Sequence, residues 1–271
     1  MKNTYILGCK VDNVSLSQSL KFIKKFIISK KPHQICTLNP EYLMSAQDDE
    51  ELKYIINNSS LNTADGSGLI FASKYIKKPV KYKVTGVQLS NEIFKLASKN
   101  NYRIFLLGGK NNVANELAQK LLKRYPKIKI VGTHEGFPHL KPISKKIWQS
   151  GYKNCKSMDV KISKLLNKTN LKIIQKIVSA NPDILLVAYG CPKQDKFIAR
   201  YAQQLQIPVM IGVGGTFDYL SGRLSYPPAW IRNIHLEWFY RLVTQPWRFD
   251  RIITATIKFP LAVLNKKNHD L

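Results

Sequence analysis

Short apolar runs alternate with amphipathic segments along most of the chain. Apolar runs bounded by turn residues predict buried strands near residues 34–38, 102–107, 184–189 and 208–213. Apolar positions at helical spacing predict helices over 15–28 and 111–125. Several runs end at glycine, in Gly108-Gly109, Gly190 and Gly214-Gly215. Repetition of strand, glycine-rich turn and helix predicts an α/β fold with a parallel sheet.

The carboxyl ends of the strands are where a parallel α/β sheet binds its ligands. Gly108-Gly109 and Gly214-Gly215 can offer backbone N–H groups to a phosphate there, or they form only tight turns. Neither turn has the spacing of a dinucleotide-binding or P-loop motif, which argues against a nicotinamide dehydrogenase.

Two regions depart from this alternation. Residues 136–177 are Lys-rich and weakly patterned, and we expect a surface insertion at about 139–170. After Gly222 the chain is rich in aromatic residues and Arg, which predicts a helical appendage over 223–271 attached to a core of residues 1–222. Within the appendage we expect one helix over 230–243, a second beginning at Pro246 and an interruption at Pro260.

The overall composition is that of a globular protein. Hydrophobic residues make up 44% and charged residues 22% of the 271 positions, which excludes disordered, collagen-like and coiled-coil classes. The 43 Lys and Arg against 17 Asp and Glu leave a formal charge of +26. Such a charge favours anionic partners: nucleic acid, an anionic membrane surface or phosphorylated substrates.

The type of basic side chain changes along the chain. Residues 1–222 contain 32 Lys and three Arg, whereas residues 223–271 contain three Lys and five Arg. The change indicates a need for planar donors that bind phosphates or carboxylates, or it reflects a basic solvated face. Arg248 and Arg251 share a helix face, a pattern also expected of a helix that faces a membrane or nucleic acid.

Cysteine usage and the N-terminus indicate a cytoplasmic protein. The four cysteines are far apart in the sequence, which argues against a zinc site or a disulfide framework: Cys9, Cys36, Cys155 and Cys191. The N-terminal residues lack the apolar core of a signal peptide, and no run of about 18 apolar residues is present.

Polar residues at the strand ends are candidate site residues. Thr37 and Asn39 follow the first strand, although Asn39 before a proline is also a typical helix N-cap. Asp65 follows the segment 60–63 and is either a general base or a turn residue. Gln194 begins a polar helix and either contacts a ligand or is only a capping residue. The five histidines show no triad spacing, so a nucleophilic hydrolase has no support.

Eight motifs occur in an order that matches one known family. They are Thr37-Leu-Asn-Pro-Glu, Ala64-Asp-Gly-Ser-Gly, Val84-Thr-Gly-Val, Phe105-Leu-Leu-Gly-Gly-Lys, Pro182-Asp-Ile-Leu-Leu-Val, Gly190-Cys-Pro-Lys-Gln-Asp-Lys, Gly212-Val-Gly-Gly-Thr-Phe-Asp and Leu236-Glu-Trp-Phe-Tyr-Arg. With them the chain resembles the WecG/TagA/CpsF glycosyltransferases from Leu7 to about Arg251. The resemblance implies a Rossmann-like parallel-sheet core with a helical C-terminal appendage.

The resemblance also implies an activity and its partners. Members transfer a sugar from a UDP-sugar to an undecaprenyl-diphosphate-linked acceptor, with inversion, at the cytoplasmic face of the membrane. For this chain we expect N-acetylmannosamine as the donor sugar, with glucose or N-acetylmannosaminuronic acid as alternatives. We expect no metal, no cofactor and no nucleic acid partner, peripheral binding to an anionic membrane, and the family's tendency to self-associate.

Site residues follow from the matching motif positions. The resemblance places the general base at Asp65 and a pocket-lining residue at Thr37. Asn39 and Gln194 match positions near the nucleotide-sugar, and Lys83 stands where many members have Arg. The appendage arginines that match those holding the diphosphate are Arg241, Arg248 and Arg251. Two alternatives of other classes remain at this point, a basic nucleic-acid-binding protein and an inactive membrane-binding scaffold.

Overall fold

A computed structural model describes residues 3–136, 140 and 168–269 of the chain. Its strands are β1 (Asn3–Ile6), β2 (Cys9–Asp12), β3 (His33–Leu38), β4 (Leu61–Ala64), β5 (Arg103–Gly108), β6 (Lys129–His134), β7 (Ile184–Ala188) and β8 (Val209–Gly212). Its helices before residue 222 are α1 (Leu16–Ser29), α2 (Pro40–Asp48), α3 (Glu50–Asn58), α4 (Ser67–Tyr75), α5 (Gly86–Asn100), α6 (Val113–Arg124), α7 (Lys168–Ser179), α8 (Lys193–Leu205) and α9 (Thr216–Ser221).

Helices alone follow Gly222 within the described residues. They are α10 (Ala229–Asn233), α11 (Glu237–Thr244), a 3-10 turn (Pro246–Arg248), α12 (Phe249–Ile253), a π-helical segment (Thr254–Lys258) and α13 (Phe259–His269). The predicted helical appendage is thereby confirmed. No helix in the described ranges is long and apolar enough to cross a membrane.

The described strands form a six-stranded parallel sheet and a small hairpin. The order in the sheet is β4-β3-β8-β7-β5-β6, and every neighbouring pair is parallel, whereas β1 and β2 pair antiparallel. The four strands predicted from apolar runs correspond to β3, β5, β7 and β8. The expected α/β fold with a parallel sheet is therefore confirmed.

Both faces of the sheet are covered. Successive strand residues point to opposite faces, so Ile104 and Leu106 of β5 join one apolar cluster and Phe105 and Leu107 join another. Helices α1, α5, α6 and α9 cover the first face, and α2, α3, α7, α8 and α13 pack on the opposite side. Burial on both faces explains why the strands read as apolar runs rather than as alternating patterns.

Local sequence signals fix the helix starts near the site. The Asn39 side chain caps α2 by accepting a hydrogen bond from the Tyr42 N–H at 2.9 Å, and Pro40 occupies the first helical position. Thr85 caps α5 in the same manner, and Gln88 completes a capping box there. These caps place the amino ends of α2 and α5 at the carboxyl edge of the sheet.

The prediction of one continuous helix over 230–243 is wrong. Instead α10 and α11 are separated at Ile234–Leu236, where His235 adopts a left-handed conformation with a φ of 61°. The His235 Nδ1 lies 2.8 Å from the Ser67 Oγ on α4. The break thus lets the appendage turn toward the core.

The prediction that Pro260 interrupts the helix is also wrong. The chain remains helical through Pro260, because the π-helical segment Thr254–Lys258 comes directly before it. A proline clashes with the carbonyl four residues earlier, and in this case that carbonyl belongs to Thr256 inside the wider π-helical turn. The local change of helix type removes the conflict without ending the helix.

The predicted insertion at about 139–170 lies almost entirely outside the described residues. The end of the same Lys-rich region is a core element. Helix α7 buries Ile173, Ile174 and Ile177 in the cluster that contains Phe105 and Leu107. Its apolar residues occupy only one face, so the surrounding lysines obscured the pattern.

A buried ion pair joins α3 to α8. Arg200 donates from Nε to the Glu51 Oε1 at 2.8 Å and from Nη2 to the Glu51 Oε2 at 2.7 Å, and both side chains are buried. The Lys196 Nζ lies 3.1 Å from the same carboxylate. Two parallel N–H···O bonds hold the two helices in one relative orientation.

We expect Glu51→Ala to lower the free energy of unfolding by about 3–5 kcal/mol, because it leaves the buried Arg200 charge without its carboxylate. Urea unfolding of the purified protein measures the change. Glu92→Ala, which removes the exposed partner of Lys95, is the control and should have little effect. Equal losses in the two variants would contradict the role assigned to the buried pair.

Candidate active site

A cavity of about 450 Å³, the polar cavity, lies beyond the carboxyl ends of β3, β4, β7 and β8. Among the residues lining it from the core are Thr37, Asn39, Asp65, Gln194, Gly214 and Gly215. The C-terminal helices add Arg241, Arg248 and Arg251. The structure therefore brings nine of the predicted site residues together, from segments far apart in the sequence.

Asp65 directly follows β4 and is held in place by backbone groups. Its own N–H donates to the Leu38 carbonyl, and its Oδ2 accepts a 2.8 Å hydrogen bond from the N–H of Gly86 at the start of α5. Burial raises the pKa of Asp65, although the Gly86 hydrogen bond and the charges of Arg241 and Lys83 act in the opposite direction. Asp65 is thus a fixed carboxylate of increased basicity that faces a cavity.

Gly86 lies closely surrounded by polar side chains, and Thr216 is the nearest of them. A Cβ at this position would lie 3.1 Å from the Thr216 Oγ1 and 3.6 Å from the Asp65 Oδ2. The Thr37 hydroxyl, 3.5 Å from the same point, donates to the Gly212 carbonyl at 3.0 Å. Thr37 therefore ties the end of β3 to β8 beside the carboxylate.

Gln194 connects two of the turns that line the polar cavity. Its side-chain carbonyl accepts from the Gly190 N–H at 3.1 Å and from the Gly214 N–H at 2.9 Å, and the residue is buried. Its observed contacts position the turns after β7 and β8. Asn39 likewise uses its carbonyl oxygen as a helix cap while it lines the cavity.

The three arginines differ in their surroundings. The Arg241 guanidinium lies 5.7 Å from the centre of the Tyr219 ring. Arg251 forms an ion pair with Glu41, with the Nη2 and Oε2 atoms 2.5 Å apart. Burial lowers the pKa of Arg248, and no carboxylate among the described residues forms an ion pair with this side chain. The polar cavity therefore holds a guanidinium group available for an anion.

Three predicted substrate-binding residues do not line the polar cavity. Gly108 and Gly109 form the turn after β5 with φ angles of 95° and 79°, and a side chain at Gly109 would collide with Val113. The two glycines therefore allow the backbone to adopt this tight turn. Lys83 pairs with Glu237 of α11, with the Nζ and Oε1 atoms 2.8 Å apart, and so joins the core to the appendage.

A second cavity of about 610 Å³, the apolar groove, adjoins the polar cavity. Helix α4 and the C-terminal helices form its walls, with Phe71, Tyr75, Trp238, Ala255 and Leu264 among the lining residues. The two cavities share Asn39, Glu41, Asp65 and Arg241. Asp65 therefore lies where a polar and an apolar compartment meet.

Several site residues were missed by sequence reasoning. Gly86 lies in a motif that matched the family but had no assigned role, and Glu41 and Tyr219 contact the arginines. The available signal was the start of a helix at Gly86. Because the first N–H groups of a helix have no partner within it, the Gly86 N–H could bind a side chain. Within the described residues no group of three or more His, Cys, Asp or Glu side chains is arranged to hold a metal ion.

A fully buried carboxyl group, Asp195, lies beneath the polar cavity. Burial raises the pKa of Asp195 to about 7, although the nearby Tyr42 hydroxyl and Cys36 thiol act in the opposite direction. Unlike Asp65, it lines neither cavity. It lies below Tyr42 and Gln194, and these two residues do line the polar cavity.

The polar cavity lies at the carboxyl ends of parallel strands, where α/β proteins bind their ligands. It holds a basic carboxylate beside guanidinium groups, and this arrangement suits group transfer from a phosphorylated donor. The chain belongs to the WecG/TagA/CpsF family of glycosyltransferases, since the model of that family matches residues 4–270. The protein is therefore a glycosyltransferase. Family membership favours the enzyme hypothesis over the nucleic-acid-binding alternative.

Two curated relatives carry the same description, N-acetylglucosaminyldiphosphoundecaprenol N-acetyl-beta-D-mannosaminyltransferase. The protein from Bacillus subtilis strain 168 is 30% identical over 258 residues, which cover 95% of this chain and 89% of the relative. The protein from Staphylococcus aureus strain NCTC 8325 is 28% identical over 254 residues, which cover 93% of this chain and 89% of the relative.

We expect the contribution of Asp195 to the free energy of unfolding to fall as the pH rises from about 4 to about 7, and Asp195→Asn to remove that fall. The unfolded chain releases the Asp195 proton near the usual Asp pKa of about 3.9, whereas the folded chain keeps it to about 7. The folded state thus binds the extra proton in this window, so its advantage declines as the pH rises.

Urea unfolding at several pH values from 4 to 8 measures this effect. The stability of Asp195→Asn relative to wild type should increase across the window and level off above pH 7. Asp48→Asn, at an exposed position, controls for the loss of one acidic charge from a strongly basic protein. A constant difference between Asp195→Asn and wild type would show that Asp195 does not retain its proton.

Proposed function

We propose that the protein transfers N-acetylmannosamine from UDP to N-acetylglucosamine on a lipid diphosphate, with inversion and without a metal. The observation that carries the proposal is the position of Asp65, between the polar cavity and the apolar groove. The descriptions of the two relatives support the transferred sugar and the acceptor. Glucose and N-acetylmannosaminuronic acid are the alternative donor sugars.

The polar cavity suits the UDP portion of the donor. Arg248 and Arg241 can receive the diphosphate, and the glycine turn at Gly214-Gly215 allows close approach of its backbone to the phosphates. Arg251 would have to exchange Glu41 for the ligand, or it acts by holding α12 against α2. Positive charge from guanidinium groups would stabilise the departing UDP in the place of a divalent cation.

Asp65 is the proposed general base. The acceptor hydroxyl gives its proton to Asp65 while its oxygen bonds to C1 of the donor sugar. The bond between C1 and the phosphate oxygen breaks, and its electron pair leaves with UDP. A single displacement of this kind inverts the configuration at C1. Burial supports the role because the raised pKa of Asp65 makes the carboxylate a stronger base.

Asp65→Asn should lower turnover by about 10²- to 10⁴-fold, because the amide cannot accept the hydroxyl proton. UDP release is measured with UDP-N-acetylmannosamine, a lipid-diphosphate N-acetylglucosamine acceptor and EDTA. Binding of UDP, measured by calorimetry, should remain close to that of wild type. Asp48→Asn is the isosteric control at an exposed position on α2, outside both cavities.

Three outcomes would contradict parts of this proposal. Wild-type turnover in Asp65→Asn would exclude it as the base. Turnover that disappears with EDTA and returns with Mg²⁺ would exclude a metal-independent reaction. Turnover with UDP-glucose or a UDP-uronic acid, but not with UDP-N-acetylmannosamine, would correct the donor sugar while leaving the reaction class in place.

We also propose that the appendage binds an anionic membrane surface peripherally, at the inner face of the cell membrane. Its aromatic side chains are unusually exposed: Trp230 by 65%, Trp247 by 70% and Phe249 by 55%. Large apolar side chains next to arginines suit insertion among acidic headgroups. Self-association is a further expectation from the family resemblance.

Replacing both Trp230 and Trp247 by Ala should weaken binding to vesicles of anionic phospholipid by about tenfold or more, because two large apolar groups no longer leave water. Co-sedimentation with phosphatidylglycerol vesicles measures binding, which should also fall as salt increases. Ile28→Ala, at a 77% exposed position on α1, is the matched control. Equal losses in both variants would argue against docking through the appendage.

A further inference from the structure

The apolar groove is formed because the appendage is anchored beside α4 without covering it. Phe259 and Val263 of α13 are buried in the same cluster as Leu69 and Ala72 of α4. The neighbouring side chains Phe71 and Tyr75 remain 53% and 42% exposed. Anchoring on one side and exposure on the other leave an open apolar channel between the two helices.

Small side chains keep this channel open. Ala72 and Ala255 both line it, where larger residues would fill the space between α4 and the C-terminal helices. Its volume of about 610 Å³ lies in the range of ligand pockets. Trp238 and Leu264 are also partly exposed along it, so apolar surface continues out to solvent.

The inner end of the apolar groove is polar and opens onto the catalytic carboxylate. Asp65, Arg241 and Asn39 border both cavities. An occupant with a hydrocarbon chain in the groove would therefore present its polar head at Asp65. The Arg241 guanidinium lies at this junction, where it complements an anionic group between head and chain.

We propose that the apolar groove binds the hydrocarbon chain of the acceptor, taking the polyprenyl units nearest the diphosphate. The inference rests on the proposed function for the identity of the head group, and it adds a chain-binding role for α4 and the C-terminal helices. Continuity with the polar cavity favours this occupant, because a membrane phospholipid or a second copy of the chain would not need access to Asp65.

The first test compares two acceptors that share the N-acetylglucosamine diphosphate head but carry either a long polyprenyl chain or a short water-soluble alkyl group. Ala255→Trp narrows the groove. It should raise KM for the long-chain acceptor by about tenfold or more, since excluding even two methylene groups weakens binding by about that factor. KM for the short acceptor and kcat should stay near their wild-type values.

Two further variants control this experiment. Ile257→Trp adds the same side chain at a 51% exposed position of the π-helical segment that does not line the groove, and it should leave both KM values unchanged. Leu264→Glu places a charge in the lining and should reproduce the long-chain defect if Ala255→Trp fails to fold. Equal effects on the two acceptors would overturn the chain-binding role.

A second test does not depend on sugar transfer. A benzophenone-tagged polyprenyl diphosphate is cross-linked to the intact wild-type protein in detergent, and the labelled peptides are identified by mass spectrometry. Labelling should fall within residues 67–75 and 252–264, be displaced by undecaprenyl diphosphate and decrease in Ala255→Trp. Labelling confined to Trp230 and Trp247, or displaced equally by phosphatidylglycerol, would overturn the proposal.

The two tests separate this inference from the proposed reaction. Specific labelling of the groove, together with no turnover for any donor, would support chain binding while contradicting the proposed transfer. Turnover with the expected donor, together with equal KM effects for both acceptors, would support the transfer and overturn the groove assignment. Cross-linked dimers joined through the groove would identify a second copy as the occupant and would also overturn it.

Discussion

Burial of Phe259 and Val263 is the interaction on which the rest of the site depends. The two side chains join an apolar cluster with residues of α2 and α4, and each contributes about 1.5–3 kcal/mol when removed from water. This packing fixes the C-terminal helices over the carboxyl edge of the sheet. The same packing brings Arg241 and Arg248 to the cavity that Asp65 lines.

Polar contacts refine that placement. Lys83 with Glu237, Ser67 with His235, and Arg251 with Glu41 each join the core to the appendage. All three surround the region where the polar cavity and the apolar groove meet. Their partly exposed positions make each contact weak and exchangeable, which suits a boundary that opens to the proposed donor and acceptor.

The sequence predicted the fold well where one physical rule dominated. Strands β3, β5, β7 and β8 are buried on both faces, so their apolar runs were unambiguous. The break at His235 and the helix through Pro260 were not predictable, because tertiary contacts and a π-helical segment override local preference there. Family motifs located Asp65, whereas the roles of Gly86 and Gln194 depend on contacts across the sheet edge.

The Asp65 and Asp195 carboxyl groups show why position decides chemical role. Burial raises the pKa of both Asp65 and Asp195. Asp195 is buried beside Tyr42 and Cys36 and lines neither cavity. Asp65 lines both cavities, and the Gly86 N–H fixes one of its oxygens. Of these two carboxyl groups only Asp65 lines a cavity that a substrate hydroxyl could enter, which is why the proposed general base is Asp65 and not Asp195.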